Sequence, residues 1–233
     1  MNKKILIAAM LGFFSLSANA ELQSVDLYKS GDGLVTIDTD TGIEWMDLSV
    51  VSNQLTYNEK ISLLGEDEFK GWRLPTSLEV TSMLRSHFDG FNHITNSGWV
   101  DDSNALSREL RGLILNYISL FGYSCINGKT NEASAMFLDE NGDLDIFVTR
   151  YSVSNRDPLM LGLNYAAPFI GKDTVQVTFS TFFVSDGGAS FSSKLDPTIN
   201  ENNANARYSD VPVSFTFGGL LLAGLAFFRK RKA

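Results

Sequence analysis

The stretch Asp139-Glu140-Asn141-Gly142-Asp143-Leu144-Asp145 puts oxygen-bearing side chains at alternating positions, the spacing that wraps a chain around calcium. Asp139, Asn141, Asp143 and Asp145 are its candidate metal ligands, and calcium is the one cofactor the chain suggests. The stretch lacks the sixth-position glycine and the distal glutamate of an EF-hand, and Asn141-Gly142 is equally the signature of a hairpin tip. The favoured expectation is therefore a hairpin with no bound cofactor. Asp38, Asp40, Glu44 and Asp47 form a second carboxylate set, expected as a solvated turn with outward-pointing acids. Cys125 is the single cysteine, so no intramolecular disulfide can form, and a small buried thiol is the expectation. With only His87 and His93 besides, a Ser-His-Asp, Cys-His or zinc site has little raw material. G-x-S-x-G, H-E-x-x-H and P-loop motifs are absent from the sequence. These residues imply a protein that is not an enzyme, with carboxylate-pair glycan hydrolysis as the catalytic alternative.

Trp45, Trp72 and Arg73 are the candidate binding residues, because aromatic faces stack on sugars and an arginine fork grips polar groups. The favoured reading of the three is a folding knot. Each indole is a large apolar anchor, Arg73 is placed to pair with Glu44 or Asp47, and Pro75 sets the entry to a helix.

Several elements must position these residues. Residues 34–38 and 43–48 read as a hairpin around the turn 39–42. Thr56 with Glu59, and Thr76 with Glu79, are capping boxes that open helices through Leu64 and about Phe88. The second of these helices is expected to bury Leu78, Met83, Leu84 and Phe88 on one side. A longer helix is predicted over 104–121, with Ala105, Leu106, Leu110, Leu113, Ile114, Tyr117 and Phe121 at helical spacing. Residues 133–138 and 144–151 form a second hairpin, and 173–185 reads as a central strand. Residues 186–210 are rich in Gly, Ser and Asn and poor in apolar side chains, which predicts a flexible stalk. The fold class expected is α+β, an antiparallel or mixed sheet with two to three packed helices.

The two ends carry location signals. Residues 1–20 have the anatomy of a signal peptide: Lys3 and Lys4, the apolar run 5–16, and Ala18-Asn19-Ala20 before Glu21. Residues 211–228 are 18 without a charge, near the minimum for a single C-terminal transmembrane helix across roughly 30 Å of hydrocarbon. Arg229, Lys230, Arg231 and Lys232 follow and are expected to stay in the cytoplasm. The organisation expected is a leader over 1–20, an exported domain over 21–185, a stalk over 186–210 and a tail over 211–233. The exported part holds all 27 acidic residues and only 13 of the 19 basic ones, which argues against nucleic acid as a partner.

The tail resembles the PEP-CTERM class of bacterial sorting signals. Val211-Pro212 matches the first half of that motif, and the basic cluster 229–232 matches its end; Val213 and Ser214 stand where Glu and the second Pro are usual. The resemblance implies export, retention in the inner membrane, an exosortase-type processing partner and an association with extracellular polysaccharide. In the domain, residues 38–48 (DTDTGIEWMDL) resemble an element of many such proteins. Gly71-Trp72-Arg73-Leu74-Pro75-Thr76 with Glu79 resembles an element of the carboxy-terminal domain of collagen-like bacterial adhesins. That likeness implies a C-type lectin-like relative. Together they imply an envelope-associated binding or matrix component on the cell surface, tied to exopolysaccharide and biofilm, with a calcium-stiffened adhesion module as a further alternative.

Overall fold

The computed structural model describes residues 21–88, 108–126, 130–152, 160–162 and 171–206. The leader, His93, residues 104–107 of the third predicted helix, and the tail with Val211, Pro212, Val213 and Arg229 to Lys232 lie outside them. Among the described residues no helix is long and apolar enough to cross a membrane.

In chain order the described elements begin with β1 (Leu22–Val25), β2 (Val35–Asp38), β3 (Ile43–Met46) and α1 (Tyr57–Ser62). β4 (Trp72–Arg73), α2 (Ser77–His87), α3 (Arg108–Phe121), β5 (Cys125–Ile126) and β6 (Thr130–Glu132) follow. The last are β7 (Ala135–Leu138), β8 (Leu144–Ser152), β9 (Met160–Gly162), β10 (Ser180–Thr181), β11 (Val184–Ser185) and α4 (Phe191–Leu195). The class is α+β, with one antiparallel sheet ordered β1-β2-β3-β11-β4. The second sheet is mixed: β10-β7-β8-β6-β5 with β9 beside β8, parallel only at β10–β7. Four helices are described, of which α1 and α4 are short.

Both capping boxes form, with Thr56 and Thr76 each accepting from the backbone N–H of the glutamate three residues on. The hairpin β2–β3 also forms, pairing Thr36 with Trp45 and Ile37 with Glu44. Strand alternation sends Ile43, Trp45 and Val184 to one face of this sheet and Val35, Met46 and Phe183 to the other. The first face meets α2, α3 and the second sheet in the largest core, around Val80, Leu84, Ile114, Tyr117, Phe137 and Phe147. The outer face of the second sheet packs Met136, Ile146 and Val148 on Tyr57 of α1.

Four expectations are corrected. The first concerns the acids of the hairpin: Asp38, Glu44 and Asp47 are buried, and only Asp40 is exposed. Their sheet is covered on both faces, so an outward carboxylate meets protein rather than water. The second concerns the stalk, because residues 186–206 pack onto the outer face of that sheet as part of its cover. Ser190 caps α4, Asp196 caps a 3₁₀ turn over Pro197–Asn200, and the N–H groups of Phe191 and Ser192 donate to Leu27 and Asp26 carbonyls. The polar composition that suggested a stalk is spent on caps and on buried hydrogen bonds, with Ser190, Ser193, Asn200 and Asn203 all interior. Residues 207–210 are outside the described set.

The third concerns residues 173–185, which are not one strand. Val175 and Val177 are exposed, and only 180–181 and 184–185 pair, the first with β7 and the second between β3 and β4. The buried run Ser180–Ser185 thus passes from one sheet to the other, and the alternation of Phe182 and Phe183 feeds two different cores. The fourth is Leu78, which is 68% exposed, while Val80 takes its place on the buried stripe with Met83, Leu84 and Phe88. Leu78 stands about 200° around the helix from Val80, so the two cannot share a face.

Candidate functional site

The Trp-Arg pair of β4 is the hub of the predicted site. Trp72 faces the outer cluster of the first sheet and Arg73 faces the opposite way, as neighbouring strand residues must. Arg73 Nη1 and Nη2 donate to Glu79 Oε2 and Oε1 at 2.9 and 2.7 Å. Nε and Nη2 donate to Asp186 Oδ2 and Oδ1 at 3.1 and 2.6 Å, and Nη1 also reaches the Leu74 carbonyl. One guanidinium thus holds two carboxylates, each with two hydrogen bonds. The partners are Glu79 and Asp186 in place of Glu44 or Asp47: Glu44 lies on the sheet's other face, and Asp47 accepts from Ser49.

Glu79 does two jobs, since Oε2 also accepts from the backbone N–H and hydroxyl of Thr76. Burial pushes the Glu79 carboxyl upward, but the Arg73 and Thr76 hydrogen bonds outweigh it and hold the group below its ordinary range. The hydrogen bonds to Glu79 and then to Asp186 raise the Arg73 guanidinium further above its already high value.

Next to this knot, α2 and the hairpin β2–β3 enclose a cavity of about 200 Å³. Ile43, Trp45 and Met83 give it apolar walls, and Asp38, Thr41, Leu78, Glu79 and Ser82 complete the lining. A broader, more open hollow of about 530 Å³ lies across the exposed Leu78, against Pro75, Thr76, Ser77, Leu138, Asp139 and Glu140.

Trp45 and Trp72 are 1% and 6% exposed and sit in separate clusters, so the two do not form one exposed stacking platform. Trp45 instead meets Phe121 and Phe182 edge-on. Residues 139–143 are the tip of the β7–β8 hairpin, and Leu144 and Asp145 already belong to β8. Asp139 Oδ1 accepts from the N–H groups of Asn141 and Asp143, and Gly142 takes φ 81°. Asp145 is buried and accepts from its neighbour Ile146, and burial raises its carboxyl. Among the described residues, no three His, Cys, Asp or Glu side chains are gathered for a metal. Cys125, expected as a buried thiol, is only half-buried at the start of the short strand β5; desolvation, then the Glu132 charge, raises its thiol, which disfavours the thiolate a nucleophile needs. His87 Nε2 lies 3.0 Å from the Leu113 carbonyl of α3.

Asp186 is the partner that sequence reading missed. Its signal was weak: an acid directly ahead of Gly187-Gly188, in a segment whose composition resembled a linker. Searches against protein-family models, curated proteins and solved structures give no match to this chain.

Proposed function

We propose that this chain is an exported protein of the bacterial envelope, whose domain works by binding or as a matrix component, with exopolysaccharide as its partner. The observation that carries this reading is the pairing of a leader-like segment at 1–20 with an uncharged run and basic cluster at 211–232. In this reading the tail spans the inner membrane, an exosortase-type machinery handles it, and the domain stands outside the cytoplasm or at the cell surface.

The cavity chemistry favours binding over glycan hydrolysis. Asp38 and Glu79 share one hollow, but a glycosidase needs one carboxyl that carries a proton. Glu79 has both oxygens on Arg73 and a lowered pKa, which suits it to holding and not to proton donation. Two measurements test the proposal. Fractionation and intact mass of the produced chain should place it in the membrane fraction without residues 1–20; an intact, soluble cytosolic chain overturns it. Exopolysaccharide immobilised on a column should retain the protein without being shortened, and free passage removes the partner named here.

A further inference from the structure

Glu44 lies in the middle of β3 and is completely buried. Its Oε1 accepts from Ser190 Oγ at 2.5 Å, and its Oε2 has no hydrogen-bond partner. Among the described residues no lysine, arginine or histidine pairs with it. Asn200, 1% exposed, repeats the pattern: Nδ2 donates to the Gly42 carbonyl at 2.8 Å, and Oδ1 is left without a partner.

A run of contacts leads from Glu44 to the Gly187-Gly188 backbone, against which Asn200 packs. Ser185 faces Glu44 in the β3–β11 register, and Gly187 N–H donates to Ser185 Oγ at 3.0 Å. Gly187 has φ 112°, and a Cβ added there would lie 3.0 Å from Asn200 Oδ1. Gly188 N–H donates to Ser193 Oγ at 3.0 Å, and Ser193 Oγ lies 2.9 Å from Ser190 Oγ, which returns to Glu44. The five side chains Glu44, Ser185, Ser190, Ser193 and Asn200 are all buried, the last three within the 186–200 segment itself.

We propose that this cluster binds one hard, oxygen-preferring cation of the Na⁺ or Ca²⁺ class, with Glu44 Oε2 and Asn200 Oδ1 as its protein ligands. A buried carboxylate without a counter-charge is strongly disfavoured, and so is an amide oxygen with no donor. A cation answers both at once. The donors are all oxygens, with no thiolate or imidazole, which selects Na⁺ or Ca²⁺ over zinc or copper. The Ser190 hydroxyl is already committed to Oε1 and orients the carboxylate, and the glycines let the backbone come close. The bound ion ties β3 to the segment that covers it. The site is separate from the Asp139 turn and does not depend on the function proposed above.

The test uses the full chain in detergent, stripped with EDTA and exchanged into choline chloride. Melting is then followed against CaCl₂ or NaCl at constant ionic strength, with elemental analysis for calcium. One of the two salts should raise Tm saturably, and the one that does identifies the ion. Glu44→Gln should lose that rise, whereas Asp139→Asn should keep it. No response to either salt overturns the proposal, as does a rise that Glu44→Gln retains or Asp139→Asn abolishes. Should Glu44→Gln fail to fold, Asn200→Ala carries the comparison; its ion affinity must fall about tenfold or more, and an unchanged affinity overturns the proposal.

Discussion

Arg73 Nη2 lies 2.6 Å from Asp186 Oδ1, a contact between residues 113 apart in the sequence. It fastens the start of the C-terminal cover to the strand that leads into α2. Because Glu79 grips the same guanidinium, the helix cap, the short strand β4 and the cover share one fastener.

Arg73→Ala should lower stability by about 1–2 kcal/mol, the range for charged hydrogen bonds reduced for partial exposure. The check is a double-mutant cycle with Asp186→Ala in denaturant. A coupling energy indistinguishable from zero would show that the Arg73–Asp186 contact adds nothing to the fold.

Gly122 follows α3 at φ 70°, and Leu48 N–H donates to the carbonyl of Phe121 just before it. A Cβ at Gly122 would run into the Asp47 carboxylate. Gly122→Ala should therefore cost more than about 1 kcal/mol, through both the left-handed backbone and the collision. Adding Asp47→Ala should recover only the collision part. Thermal melting of the three variants decides the matter, and an unperturbed Gly122→Ala refutes the close approach.

Much of this framework was legible because its signals are local. The two capping boxes, the hairpin turn at Gly42 and the Asn141-Gly142 tip each specify their own geometry within a few residues. What stayed hidden depends on partners far along the chain. Nothing near Glu44 announces that Ser190, 146 residues on, will meet it in the interior. The β-branched content of 173–185 marks it as strand material, but not that it would serve two sheets in turn. Arg73 was legible as an ion-pair centre, whereas its partners were set by which face of the first sheet it occupies.

Lys60 predicts a pH response. It is fully buried, its Nζ donates to the Phe179 carbonyl at 2.7 Å, and burial lowers its pKa from 10.5 to about 8. Below pH 8 the lysine is charged in both states, and the folded state carries the whole desolvation penalty. Between about 8 and 10.5 the unfolded chain holds a proton that the folded chain has released, so stability rises with pH. Burial raises the hydroxyls of Tyr57 and Tyr117 above 10, and those groups make stability fall once pH exceeds that value. The unfolding free energy should thus climb by about 2 kcal/mol from pH ~7 to a maximum near pH ~10. Denaturant titrations across that range measure it. Lys60→Met should flatten the climb and be the more stable protein at neutral pH; a climb that persists in Lys60→Met assigns it to another group.

Ending the chain at two points distinguishes a cover from a linker. Stopping after Ala206 keeps α4, the 3₁₀ turn and the Asn203–Asp186 hydrogen bond. Stopping after Ser185 removes the Arg73 partner Asp186 and the Ser190 partner of Glu44. It also removes Ala189, the member that 186–206 contributes to the buried cluster of Val35, Met46, Trp72 and Phe183. Exposing buried apolar side chains costs about 1.5–3 kcal/mol each, so several together exceed the margin of an ordinary domain. The chain 21–206 should melt cooperatively, and the chain 21–185 should be unfolded or lose its sharp transition. Equal melting temperatures for the two would return 186–206 to the role of a linker, because a segment that covers a core cannot be removed without a change in the transition.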